Sequence, residues 1–141
     1  MSREILFKGK RVHFAGWALG NVSNTLITKN FGSITTSIKV DELYVIPNTV
    51  SQFTGFEKNG VKIFENDVLK SWIEDKQEPE GGFFHHTIVK MINGCWSDCG
   101  IGYDYELNDD EPLTLHTVMN DDFEVIGSIF DHPELMKDGK F

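Results

Sequence analysis

Two acidic groups in this 141-residue chain could bind a hard cation. Asp109-Asp110-Glu111 and Asp121-Asp122 could supply carboxylate oxygens to calcium, which takes about six to eight oxygen ligands. The spacing of an EF-hand loop, with its glycine and its closing glutamate at fixed positions, is absent. We therefore interpret both groups as solvated loop charge.

Cysteine and histidine side chains form a second set of possible ligands. Cys95 and Cys99 are the only cysteines, and His85, His86 and His116 are the histidines considered with them. A zinc site needs about four ligands, and these residues do not stand at zinc-finger spacing. A redox pair usually has the tighter Cys-x-x-Cys spacing. In a reducing compartment the pattern favours two free thiols in or beside a strand.

An aromatic pair beside two histidines, Phe83-Phe84 and His85-His86, could stack nucleic-acid bases, as proteins that bind single strands do. The neighbouring loop is acidic and would repel a phosphate backbone; its acidic residues are Glu74, Asp75, Glu78 and Glu80. We interpret the aromatic and histidine residues as packing at the start of a strand.

No hydroxyl or carboxyl group has the surroundings of a catalytic residue. Ser23, Thr54 and Ser97 lack a Gly-x-Ser-x-Gly elbow and a base at readable spacing. Asp67 could be a general base, but a carboxylate in the turn Glu65-Asn66-Asp67 is more typical of an Asx residue that bonds backbone N–H groups. Phosphate-loop and dinucleotide motifs are absent. The sequence predicts no catalytic, cofactor-binding or metal-binding residue.

Composition excludes several classes of function. A net charge of −9 disfavours direct nucleic-acid binding, which depends on Lys and Arg, and disfavours anionic membrane surfaces. The N-terminus has no apolar core of signal-peptide length, and no run of about 18 apolar residues occurs. We expect a cytoplasmic protein with no membrane segment. Hydrophobic residues make up 40% of the chain, which predicts a folded domain.

Strand patterns dominate the elements that would position these side chains. Alternation in the stretch 33–40 is the clearest, and with three shorter runs it predicts an N-terminal β-meander. Asn48 or Thr49 could cap a helical turn over Val50–Phe53, ended by Gly55. Leu113 to Met119 is interpreted as a strand. The tryptophans are interpreted as core anchors; they are Trp17, Trp72 and Trp96.

The second half of the chain predicts a small barrel. Asn59-Gly60 and Asn93-Gly94 predict hairpin turns, and 74–82 reads as a long polar loop. Five short strands over 67–130 suggest an SH3-like barrel, which removes exposed strand edges. Asp131 and Glu134, as a capping box, predict a short C-terminal helix. The predicted organisation is 1–60 as an N-terminal mainly-β region, 61–130 as the barrel and 131–141 as the helix and tail.

Three blocks of sequence, taken together, resemble a known family. The first is Arg3-Glu4-Ile5-Leu6-Phe7-Lys8-Gly9-Lys10, followed by Gly16-Trp17 and Gly20. The second runs from Thr49 to Val68 and includes Lys58-Asn59-Gly60 and Asp67. The third is Glu124-Val125-Ile126-Gly127-Ser128-Ile129-Phe130 with Pro133-Glu134-Leu135. In this order they resemble the YopX-like proteins of bacteriophages and prophages, whereas the stretch 71–122 shares little with them beyond strand spacing.

The resemblance implies a mainly β N-terminal region, an SH3-like barrel and self-association, with no assigned activity and no functional residue to transfer. Two positions depart from the family pattern, Asn66 in place of glycine and Ser128 in place of asparagine. Because asparagine tolerates a left-handed backbone, we expect the first change to keep the turn. The second removes an asparagine side chain and could remove its hydrogen bond.

Three functions remain open at this point. The first is a phage-derived, non-enzymatic accessory protein that binds a protein or assembles with itself, without cofactor. The second is an acidic effector that blocks a basic, nucleic-acid-binding host protein by mimicking DNA charge. The third is a small hydrolase with a dispersed acidic site. A concave pocket that holds carboxylates of raised pKa would favour the third.

Overall fold

The structure, a computed structural model, describes residues 5–28, 34–101 and 107–136, with side chains for all of these except 24–28, 34–37 and 107–112. The chain forms two compact units, residues 1–55 and 56–141. The division into domains at residue 60 stays a prediction. The mainly β fold predicted from the sequence is confirmed.

The first unit consists of short antiparallel strands. Strands β1 (Phe7–Lys10) and β2 (Trp17–Gly20) form a hairpin, and a separate three-stranded meander contains β3 (Val22–Thr28), β4 (Ile34–Val40) and β5 (Leu43–Val45). Strand β6 (Ser51–Lys58) begins in this unit and pairs with β1 through Ser51 and Gln52. These strands place short apolar runs around one small core.

That core contains Ala18, Val40 and Val45, with partly buried side chains around them. Gly9 of β1 faces it, since a Cβ built at Gly9 would lie 2.8 Å from the Cβ of Val45. Only a residue without a side chain allows this close approach, so Gly9 fixes which face of the hairpin packs inward.

The second unit begins with a hairpin between the end of β6 and β7 (Val61–Phe64). Asn59 and Gly60 have φ of 52° and 81°, and Asn93 and Gly94 have 50° and 80°. Positive φ at both central residues characterises the type I′ turn, whose twist matches that of the flanking strands. Both hairpin predictions are confirmed.

A five-stranded antiparallel sheet dominates the second unit and curls into a half-barrel. Its strands are β8 (Asp67–Glu74), β9 (Gly82–Ile92), β10 (Cys95–Ile101), β11 (Leu107–Thr114) and β12 (Glu124–Ser128), in the spatial order β11-β10-β9-β8-β12. A short helix, α1 (Leu115–Val118), follows β11. Strands β8 and β9 are the most extensively paired part of the sheet, because they match residue for residue from Val68 to Glu74.

Both faces of this sheet are covered by apolar side chains. Leu69 and Val89 belong to one cluster with Ile63, Leu115 and Val118. Val68 and Ile88, each adjacent in sequence to one of these, belong to a second cluster with Ile129 and Met136. Adjacent residues of a strand point to opposite faces, so β8 and β9 are apolar on both sides over this part of their length.

Three local predictions are wrong among the described residues. The helical turn is a 3₁₀ turn at Pro47–Thr49, and 51–58 is strand. The stretch predicted as a strand up to Met119 turns helical at Leu115. Asp131 does not begin a helix as the first residue of a capping box would, because it ends one 3₁₀ turn (Ile129–Asp131) and a second (Pro133–Leu135) starts after His132. The rest of the predicted C-terminal segment, 137–141, lies outside the described residues.

Candidate ligand-binding cleft

The pairing of β8, β9 and β10 places polar side chains together on one face of the sheet. Ser71 is paired with His85, and Thr87 with Gly100. Directly paired residues share a face, as do alternate residues along a strand. His85 and Thr87 therefore lie on the same face as Asp98, which stands two residues before Gly100.

One part of this face is covered by the cluster around Leu69 and Val89, and the part beside it is an open cleft of about 580 Å³. A cavity of this size can hold a small ligand or one or two side chains of a partner. Its apolar side chains include Leu69, Ile73, Leu113, Val118 and Phe123. Its polar lining is Ser71, His85, Thr87, Asp98, Asp121 and Asp122, with the backbone of Gly100.

His85 lies over Gly100. A Cβ built at Gly100 would be 3.4 Å from both Cε1 and Nε2 of the His85 ring, which is an ordinary contact distance. The absence of a side chain at Gly100 leaves the imidazole room at the floor of the cleft. His85 can donate or accept a hydrogen bond there, because its two ring nitrogens have complementary roles.

Asp98 is a titratable group of the cleft whose pKa is shifted by its surroundings. Burial raises the pKa of its carboxyl, and the nearby Asp121 raises the pKa further. Hydrogen bonds from the backbone at Asp98 and Leu113 and the proximity of His85 act against this and lower the pKa. The balance is a half-buried carboxyl group that holds its proton more tightly than an exposed aspartate does.

Lys58 fixes the segment that carries the other two carboxylates. Its Nζ donates hydrogen bonds to the backbone oxygens of Met119 at 3.0 Å and Asp121 at 2.8 Å. The same ammonium group lies 4.7 Å from the centre of the Phe123 ring. Lys58 therefore satisfies the carbonyl groups of this turn and holds Asp121, Asp122 and Phe123 at the cleft without lining it.

The opposite face of the β8–β9 ribbon carries a second group of side chains. The rings of Trp72 and Phe84 meet edge to face with centroids 4.9 Å apart, and they are 42% and 56% exposed. Lys70 Nζ lies 4.0 Å from the Phe84 centroid. Burial lowers the pKa of the neighbouring His86, as do the charges of Lys70, His85 and His132. Trp72 is therefore exposed, and its interpretation as a core anchor is wrong. Trp96 packs against the buried cluster that contains Leu69 and Val89.

The cysteine and acidic sets do not form a metal site among the residues that the structure describes, where no group of three or more His, Cys, Asp or Glu side chains could hold a metal ion. Cys95 is exposed and Cys99 is buried. They stand four residues apart on strand β10, about 13 Å, which is too far for a disulfide between them. The side chains of Asp109-Asp110-Glu111 lie outside the described part of the chain.

The turn before β8 has the structural role predicted for it. Asp67 is buried, and its Oδ2 accepts a hydrogen bond from the backbone N–H of Phe64 at 2.9 Å. Asn66 has φ of 68°, and its Oδ1 accepts a hydrogen bond from Lys90 Nζ at 2.7 Å. Ser128, the other departure from the family pattern, keeps a local bond, because its Oγ accepts from the N–H of Phe130 at 3.2 Å.

The sequence indicates His85 and Asp121-Asp122 as two separate candidates and assigns no role to Asp98. A signal for Asp98 exists in the sequence: it is the one charged residue of the stretch 95–101. Charged groups in such positions are costly unless they have partners or a function.

No described helix of the chain is long and apolar enough to cross a membrane.

The sequence model of a family described as YopX protein matches residues 17–137. No curated protein and no solved structure matches the chain. The match covers most of both units, including every residue that lines the cleft.

Proposed function

Because the chain belongs to the YopX family, we propose that it is a non-enzymatic accessory protein of phage or prophage origin that works in the bacterial cytoplasm by binding another protein. Family membership supports the comparison with phage-encoded accessory proteins, and the cleft supports the binding role. The partner segment that fits the cleft contains an apolar side chain next to Lys or Arg.

The observation that carries this proposal is the combination of apolar walls and carboxylates in one cleft. Ile73 and Leu113 are exposed there although they are large and apolar, which is typical of a surface that a partner covers. Asp98, Asp121 and Asp122 provide negative charge, and no Lys or Arg is among the described residues that line the cleft. Such a site attracts a cationic segment and disfavours an acidic one.

A direct test uses a fluorescein-labelled peptide in which arginine and leucine alternate. Fluorescence anisotropy with the full chain should show saturable binding that weakens with salt. A peptide with glutamate in place of arginine, and one with alanine in place of leucine, should each bind at least several-fold more weakly. Equal binding of all three peptides would show that the cleft does not recognise this chemistry.

A matched pair of variants tests whether the cleft is the site. Asp121→Asn with Asp122→Asn removes two charges at the cleft, and Glu78→Gln with Glu80→Gln removes two from the exposed loop of the same unit. The first pair should weaken peptide binding several-fold, and the second should leave it nearly unchanged. An equal loss of affinity in both double variants would show that binding depends on the net charge of the protein and not on the cleft.

Self-association, which the family resemblance implies, is compatible with the same role. Sedimentation velocity over a range of protein concentrations measures it directly. A sedimentation coefficient that rises with concentration would support assembly, and a constant value for the monomer would restrict the proposal to a separate partner.

The acidic effector is a second candidate, which the charge of the second unit favours. Residues 56–141 contain nineteen Asp or Glu and seven Lys or Arg, a net charge of −12. Mimicry of DNA predicts competition with duplex DNA for a basic host protein. That competition should be insensitive to Ile73→Ala, whereas the cleft model requires Ile73.

The raised pKa of Asp98 beside His85 in a concave site supports a small hydrolase as a third candidate. The two residues could transfer a proton, but the cleft has no identified nucleophile. Hydrolysis of generic ester and phosphoester substrates by the wild type, lost in Asp98→Asn, would establish this third function in place of the first.

A further inference from the structure

Charge is distributed very unevenly along this acidic chain. No Asp or Glu occurs between Glu4 and Asp41, whereas five Lys or Arg occur there. Residues 1–55 contain six Lys or Arg against three Asp or Glu, a net charge of +3 within a chain of net charge −9. The argument from net charge against nucleic-acid binding therefore does not apply to the first unit taken by itself.

Two lysines of the β1–β2 hairpin lie on the face opposite its core-facing glycine. Gly9 faces the core of the first unit against Val45, so its neighbours Lys8 and Lys10 point to the opposite side. Lys10 is paired with Trp17, which therefore lies on the same side as both lysines.

Aromatic rings stand among these cations. Lys8 Nζ lies 4.9 Å from the centre of the Trp17 ring, and Arg11 Cζ lies 4.6 Å from the centre of the Phe14 ring. Phe14 is 64% exposed at the end of the hairpin. Two cation–π pairs therefore lie within this one short hairpin.

We propose that the β1–β2 hairpin, with Lys8, Lys10 and Trp17 on one face of its strands and Arg11 and Phe14 in the segment that connects them, binds single-stranded nucleic acid. Lys8, Lys10 and Arg11 would contact phosphates, and the rings of Phe14 and Trp17 would stack with unpaired bases. Proteins that bind single strands without sequence preference combine these two elements. The hairpin shares no residue with the cleft of the second unit, so this proposal stands or falls independently of the proposed protein-binding role.

The rings favour a nucleic acid over an acidic protein segment. An acidic peptide would need the positive charge but would gain little from exposed aromatic faces. Every base, by contrast, has a planar face that stacks on such a ring. A duplex buries its base faces by stacking, so it would make only the electrostatic contacts.

The test uses fluorescence anisotropy with the full chain and a fluorescein-labelled oligothymidylate at low salt. We expect saturable binding whose logarithm falls with the logarithm of the salt concentration with a slope of about −2, from about 0.7 per phosphate for three cations. Lys8→Glu with Lys10→Glu should abolish binding. Phe14→Ala should weaken it roughly ten-fold by removing a stacking surface.

Lys62→Glu with Lys76→Glu, two exposed or half-exposed lysines of the second unit, makes the same change in total charge and should leave the affinity nearly unchanged. Circular dichroism of each variant establishes that it is folded. The proposal is overturned if the wild type fails to bind at low salt or if both lysine pairs lose affinity equally. It is also overturned if labelled polyglutamate binds as tightly as the oligonucleotide and Phe14→Ala changes the affinity for neither probe.

Discussion

Asp67 and Phe64 close the turn that leads into the central sheet. The Oδ2 of Asp67 is 2.9 Å from the backbone nitrogen of Phe64 and accepts its hydrogen bond. Both residues are buried, so water cannot replace this bond at little cost. The aspartate, which could have been taken for a catalytic base from its sequence, instead acts on the backbone of its own turn.

Replacing Asp67 should therefore destabilise the fold in a graded way. Asp67→Ala leaves the Phe64 N–H without this acceptor and should lower the free energy of unfolding by about 1–3 kcal/mol. Asp67→Asn keeps a carbonyl oxygen and should lose less. Chemical denaturation followed by tryptophan fluorescence measures both, and an alanine variant as stable as the wild type would contradict the role given to this bond.

Asn66 offers a second test of the same turn, because its backbone and its side chain act separately. Its φ of 68° is unfavourable for most residues by about 1–2 kcal/mol, and its amide oxygen binds Lys90. Asn66→Gly removes only the side-chain bond, whereas Asn66→Ala also strains the backbone. The alanine variant should be the less stable of the two, and the reverse order in denaturation experiments would exclude this explanation.

The parts of the fold that could be predicted from sequence are those with local causes. Asn59-Gly60 and Asn93-Gly94 specify their turns because both central residues need positive φ, which Asn and Gly tolerate. Gly55 also has a positive φ, of 90°, but it lies within strand β6 and not at a helix end. A glycine with positive φ occurs both at the end of a helix and within a strand. The residues near Gly55 in sequence do not show which of the two applies.

The helix α1 was missed for a different reason. Leu113 and Leu115 alternate with polar residues as in a strand, but Leu115 and Val118, three apart, are the side chains that enter the core. Four residues are too few for a helical period to be visible in the sequence. Packing against the sheet decides the conformation here, and that packing is a tertiary property.

The cleft could not be predicted because it depends on strand register. His85 and Asp98 are thirteen positions apart in the sequence, and they share a face only because β9 and β10 pair with Thr87 opposite Gly100. A shift by one residue would turn one of the two strands over and separate them. The hairpin turn Asn93-Gly94 sets this register. The turn can be predicted from the sequence, but the side chains that it brings together on one face cannot.

Gly82 provides a prediction about the exposed aromatic pair. A Cβ at this position would lie 2.8 Å from ring atoms of Trp72 and 2.3 Å from the backbone oxygen of Ile73. Gly82→Ala should displace the indole and the strand end, lower stability by about 1–3 kcal/mol and change the tryptophan emission. Gly100→Ala, whose Cβ would meet only the His85 ring at 3.4 Å, is the milder control. Equal effects of the two would contradict this account.

His86 should make the protein less stable in mild acid. Burial and nearby positive charges lower its pKa below the ordinary 6.5, so the folded state binds fewer protons than the unfolded state between these two values. The free energy of unfolding therefore falls as the pH drops from 6.5 through the lowered pKa. His86→Gln should reduce this fall, and Lys70→Met should reduce it partly. Denaturation curves across this range test it, and an unchanged slope in His86→Gln would refute it.

Asp98 should show an opposition between stability and binding. Its folded-state pKa is raised above the ordinary 3.8, so the folded state binds more protons between these values, and the free energy of unfolding falls as the pH rises through this range. At neutral pH the ionised group is therefore destabilising. Asp98→Asn should be more stable than the wild type at neutral pH, and the difference should shrink in acid below the raised pKa.

The same substitution should weaken the binding of the arginine–leucine peptide, because the ionised carboxylate is what attracts a cation into the cleft. Wild-type affinity should therefore rise with pH through the range in which Asp98 loses its proton, and Asp98→Asn should lack this rise. Asp122→Asn is the matched control: Asp122 is exposed, so its loss should weaken binding without the gain in stability. An Asp98→Asn variant that is less stable than the wild type at neutral pH would show that the hydrogen bonds from the backbone at Asp98 and Leu113 outweigh the cost of burying the charge.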